Sequence, residues 1–350
     1  MPAASSVDRI RRTLVLAGPA LLLGACAPGS SVRLDDQART LTESLATENE
    51  RRFLAAFASS PGSQALGQRM FATLSKAPAV LTASTDRLRV CWGLPGEPQV
   101  CSEATASLVD GRIANLVAAT SGTEWLGEPL GVRVSAALVV AAGTASNLSR
   151  WSRAAEAGVA ALARVAPPRR HWAKPVVVVV PDALTGFATY AGQGAAQTAA
   201  VTVVPGLADS AGVRVVVNPT VAQKSADDRA LITHEAVHAW MLSPRLTGTP
   251  GWLVEGIAEA LTAQAHPQLA ATNRRLARTA AAGGAPRGLP DVQQATPASY
   301  ALAQVAVQAM VDQIGWPGVL DEAEARTYGG AGVADSTVLA WYRDAVARLR

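Results

Sequence analysis

His234-Glu235-Ala236-Val237-His238 places two imidazoles four residues apart with a carboxylate beside the first. On a helix that spacing puts both rings on one face, one turn apart, where both can reach a single Zn²⁺ at about 2.0–2.1 Å. Glu235, one residue round from His234, would project beside such an ion, where it can take a proton from a water and deliver it to a leaving amine. A helical histidine pair satisfied without a metal has the same spacing. A second segment, Pro250-Gly251-Trp252-Leu253-Val254-Glu255-Gly256-Ile257-Ala258-Glu259, favours the metal. A catalytic zinc usually takes three protein ligands and leaves its fourth position to water, and Glu255 supplies the third. Glu259, one turn further along, can accept the free N–H of a ligand histidine. Gly256 is expected where this helix must approach the histidine-bearing one closely.

The pairing of HEAVH with WLVEGIAE resembles the gluzincin zinc metallopeptidases, the clan of thermolysin and the alanyl aminopeptidases. The resemblance is specific over 234–259 and extends loosely over 148–350. It implies His234, His238 and Glu255 as zinc ligands, Glu235 as catalytic base and Glu259 as the group orienting a ligand. It also implies that the strand at 213–217 is a sheet edge along which a peptide substrate lies extended. The linker between His238 and Glu255 is somewhat shorter than in those relatives, which trims a loop and leaves the ligand set intact. No residue is plainly marked to stabilise an oxyanion; Tyr300, at the start of a helix through Leu302, Val305 and Met310, is the candidate by position. A lone tyrosine is more often a core or surface residue. His171 and His266 are expected to be exposed, Trp240 and Trp252 to be packing residues, and Arg214, a lone arginine on a strand, to be solvated. Residues 183–226 hold one carboxylate, Asp209, with which to grip a free α-amine, so endopeptidase action is favoured over amino-terminal trimming. A zinc-dependent hydrolase of a cell-wall amide, or a non-catalytic lipoprotein that keeps the scaffold for binding, are the alternatives.

These groups need elements to hold them. Ser225-Ala226-Asp227-Asp228 reads as the cap of a helix running through Leu231, Ile232 and Trp240 to Ser243-Pro244. Before it come an amphipathic helix over 148–165, a strand of five valines over 176–180 covered on both faces, and the strand at 213–217. Helices follow to the C-terminus, so residues 146–350 read as a zincin-like metallopeptidase domain, strands first and helices after. Residues 37–145 read as a small α+β accessory domain. It starts with a long helix through Leu54 and Phe57, a break at Pro61-Gly62 and a second helix. A four-strand meander follows, near 85–92, 99–108, 111–119 and 131–142, loosely resembling the cystatin or nuclear-transport-factor-2-like folds in pattern. The fold class expected is therefore α+β.

Arg9, Arg11 and Arg12 precede an apolar run from Leu14 to Leu23, and Gly24-Ala25-Cys26 closes it. This has the shape of a lipoprotein signal over 1–25, cleaved before a Cys26 that carries the lipid, with 26–36 as a tether; an uncleaved anchor is the alternative. The protein is then exported and membrane-anchored outside the cytoplasm. There Cys91 and Cys101, flanking Gly93-Leu94-Pro95-Gly96-Glu97-Pro98, can pair as a disulfide across a hairpin; two reduced thiols are the alternative. The formal charge is +4 with no basic stripe, which argues against nucleic acid as a partner and leaves a peptide or protein substrate.

Overall fold

The computed structural model describes residues 33–350 apart from 121, 136, 168–174, 192–197, 208–211, 221–226, 242–245, 247, 294–295 and 331. Cys26, His171, Asp209 and Ser225 lie outside the described residues. α1 (Leu34–Ala46) carries Leu34, Ala38, Leu41 and Leu45 at helical spacing on its buried face. The long helix expected through Leu54 and Phe57 is interrupted: Glu48 takes φ +50° and Asn49 caps α2 (Glu50–Leu54) by accepting from Arg52 N. α3 (Pro61–Leu74) begins at the expected break, with Ser60 as its cap.

β1 (Ala79–Ser84), β2 (Arg87–Trp92), β3 (Val100–Val109) and β4 (Arg112–Ala118) form an antiparallel meander in chain order. The turn between β3 and β4 is Asp110-Gly111, both at positive φ, the left-handed pair that suits the twist of a two-residue hairpin. Cys91 and Cys101 stand directly opposite in the register and are joined by a disulfide. The meander has four strands as expected but not the expected four. β1 was not anticipated, and residues 131–142 form two strands of another sheet, β5 (Gly131–Val134) and β6 (Leu138–Ala142).

That second sheet adds β7 (Val176–Val180), β8 (Ala200–Val203) and β9 (Arg214–Val217) in the order β5-β6-β7-β9-β8. β6, β7 and β9 are parallel; β5 and β8 run antiparallel at the edges. The strand carrying Arg214 is thus internal, and β8 is the edge, contrary to the expectation for 213–217. α4 (Ala145–Val165) makes the crossover from β6 to β7, and α5 (Leu184–Ala191) follows β7. The five valines of β7 are all buried and divide between faces. Val176, Val178 and Val180 join a core with the helices, whereas Val177 and Val179 join the core of α1–α3 and the first sheet. Each such side chain contributes on the order of 1.5–3 kcal/mol relative to exposure. Residues from Leu34 to Leu130 therefore cover the back of the second sheet, and Val32–Arg350 forms one compact unit.

The remaining helices are α6 (Asp228–Met241), α7 (Gly251–Ala265), α8 (Pro267–Ala281), α9 (Pro297–Thr327) and α10 (Asp335–Leu349). The architecture is α+β. α9 bends at Gly315, whose φ of +69° interrupts it just before Pro317. Among the described residues no helix is long and apolar enough to cross a membrane.

Candidate metal centre

α6 is anchored before its chemistry begins. Asp227 Oδ1 accepts from the N–H groups of Arg229 and Ala230 at 3.0 and 3.3 Å, so the cap is Asp227. α4 approaches α6 at Gly158, where a Cβ would meet Arg229 O at 2.8 Å. Gly256 serves another contact than the one expected: its missing side chain lets α7 close on Ala303 of α9, and not on α6. His266, expected to be exposed, is half-buried with Nε2 2.8 Å from Thr233 Oγ1. Trp240 and Trp252 are buried packing residues, as expected.

α6 and α7 bring His234, His238 and Glu255 together. The two Nε2 atoms are 3.1 Å apart, and each is 3.4 Å from Glu255 Oε2. A charge-assisted hydrogen bond prefers about 2.7–2.9 Å. Ligand atoms about 2.0–2.2 Å from a common tetrahedral centre stand about 3.3–3.5 Å from one another. The two 3.4 Å separations suit a shared ion better than direct pairing, and two imidazoles with a carboxylate are a donor set that fits zinc. On the far side of His234, Nδ1 lies 3.2 Å from Glu259 Oε1. Glu259 Oε2 accepts from Asn273 Nδ2 at 2.7 Å, and Asn273 Nδ2 also donates to Gln304 Oε1 at 2.8 Å. Glu259 therefore orients the imidazole and is itself held, the usual support for a ligating histidine. Asn273 and Gln304 carried no motif and were not anticipated.

Burial works against a charge on His234, but its hydrogen bonds to Glu255 and Glu259 outweigh that and raise its pKa well above the usual histidine value. Burial likewise opposes ionisation of Glu255 and Glu259, yet the facing histidines hold both below the ordinary carboxylate range. The surroundings favour positive charge at their centre.

Glu235 is buried on the cleft wall, where Thr202 Oγ1 of β8 donates to its Oε2 at 2.7 Å. The same hydroxyl lies 3.0 Å from the backbone carbonyl of Glu235. This contact was not anticipated either, because β8 is only four residues long. Tyr300, on the first turn of α9, sets its ring nearly perpendicular to that of His234, centroids 6.4 Å apart. Burial, and after it Glu255, Glu235 and Glu259, pushes the phenol up to about 12, so it keeps its proton near neutrality. His234, Glu235, His238, Glu255 and Tyr300 line one cleft of about 360 Å³, bordered by Thr198 to Thr202.

Arg214 belongs elsewhere. Expected to be solvated, it is fully buried on the opposite face of the sheet, paired to both oxygens of Glu97 at 2.7 and 2.8 Å and to Glu124 at 2.6 Å. No protein-family model matches the chain, and no curated protein matches it either.

Proposed function

We propose that the chain is a zinc-dependent endopeptidase, exported and held at the membrane by a lipid on Cys26. The observation that carries the reading is the convergence of His234 Nε2, His238 Nε2 and Glu255 Oε2 beside Glu235, in a cleft bordered by an edge strand. When bound by these three groups, zinc would supply an acidified water and a Lewis acid for the scissile carbonyl.

The chain's own residues supply the rest. Glu235, with Oε2 held by Thr202, accepts a proton at its carboxylate and returns it to the leaving amine. Tyr300 keeps its hydroxyl proton and can donate it to an oxyanion developing in the cleft. Among the described residues β8 pairs on one side only, with β9, so an extended peptide can add on its outer side, beside the cleft, as a further strand. That role, expected of 213–217, passes to 200–203. Among the described lining residues the only carboxylates are Glu235 and Glu255, both already employed, so no further acid stands ready to hold a free α-amine. This supports internal cleavage.

The test is cleavage of a peptide library by the purified chain, with and without chelator, beside Glu235→Gln. Chelator should abolish cleavage, and Glu235→Gln should retain zinc while losing about 10²–10⁴-fold in turnover. Full activity in Glu235→Gln on a peptide cut in a chelator-sensitive way would rule out Glu235 as the base. For the anchor, mass spectrometry should find a lipid on Cys26, and Cys26→Ser should move the protein to the soluble fraction. Unchanged membrane retention of that variant would point to an uncleaved helix.

A further inference from the structure

We propose that the cavity between α7, α8, α9 and α10 is a binding site for a small carboxylate-bearing molecule. It holds about 560 Å³, room for a ligand of dipeptide size. Alanines from all four helices and the ring of Trp316 make its apolar wall. Its polar groups are unequal in kind. Arg274 and Arg348 line it, and neither makes an ion pair among the described residues. Gln304 spends its Oε1 on Asn273, which leaves its amide N–H groups for the cavity. The one carboxylate among the described lining residues, Asp312, already accepts from Gln308 at 3.0 Å.

Two guanidiniums against one carboxylate leave the described lining with a net positive charge and spare donors, which an anion would complete. A guanidinium matches a carboxylate through two parallel N–H···O bonds. The amide of Gln304 can meet a carbonyl, and the alanine and tryptophan wall can take an apolar side chain. The cavity backs onto the metal centre, since Asn273 and Gln304 lead from it to Glu259. Binding there requires neither zinc nor peptidase activity, so it can be tested apart from both.

The experiment is calorimetric titration of the full chain, zinc-loaded and chelator-treated, with N-acetyl-L-phenylalanine and with its neutral primary amide. The acid should bind in both states with Kd below about 1 mM, and the amide at least about tenfold more weakly. Arg274→Gln and Arg348→Gln should each weaken the acid about tenfold. Both side chains are exposed, so the thermal midpoint should not move. Absence of saturable binding overturns the proposal, as does equal binding of acid and amide. Binding that both arginine variants retain in full overturns it too, as does acid that binds only while zinc is present. Phenyl phosphate binding where the acid does not would overturn the carboxylate assignment.

Discussion

Two buried charged clusters lie on opposite faces of the second sheet. On the face toward the first sheet, Arg214 is enclosed by Glu97, from the disulfide-closed turn, and Glu124, with its guanidinium 5.5 Å from the centre of the Trp92 ring. On the helical face, His234, His238, Glu255 and Glu259 meet at the cleft. In the first cluster the cation is a side chain of the protein, every pair is at contact distance, and none of the three side chains is more than 1% exposed. In the second, three ligand-type atoms face one another, each Nε2 3.4 Å from Glu255 Oε2 and the two Nε2 atoms 3.1 Å apart, with Glu255 a quarter exposed. The first cluster draws its cation from within the protein and joins two layers. On the proposed reading, the second takes a cation supplied from outside. Burial of charge marks neither as functional by itself; the source of the compensating charge distinguishes them.

The comparison breaks most sharply if the histidines are removed. His234→Ala or His238→Ala should reduce bound zinc from one ion per chain to none by elemental analysis, with the fold retained by circular dichroism. Equal zinc in both variants would put the second cluster in the same class as the first.

Arg214→Met should cost about 3–5 kcal/mol in denaturant unfolding, because it leaves two carboxylates facing each other in an apolar interior. Adding Glu97→Gln and Glu124→Gln should recover much of that loss. Zinc content at low temperature should not change. A single variant within about 1 kcal/mol of wild type would show that the cluster does not bind the layers together.

The smallest effect sharpens the contrast inside the cleft. Thr202→Val keeps the shape of the side chain and removes the hydroxyl that holds Glu235, so turnover should fall about tenfold with zinc retained. Unchanged turnover would show that Glu235 needs no positioning from β8.

The sequence by itself determined the parts of this protein that are close along the chain. An imidazole pair at i and i+4 on α6, a Glu255/Glu259 pair one turn apart on α7, and the Asp110-Gly111 turn each depend on backbone geometry over a few residues, and each was legible. The five valines of β7 were legible for the same reason, since a continuous apolar run needs cover on both faces whatever provides it. Strand order was not legible. β8 and β9 are each four residues long, and which of them is the edge depends on a crossover that local pattern does not encode. Only the tertiary structure put Thr202 beside Glu235, Gln304 beside Asn273, and Arg214 against Glu97 at a separation of 117 residues. A lone threonine, glutamine or arginine has no periodicity, and its partner is chosen by packing of whole layers. For that reason the arginine read as solvated is among the most deeply buried groups in the molecule, and 37–145, read as a separate domain, supplies the other half of its ion pairs.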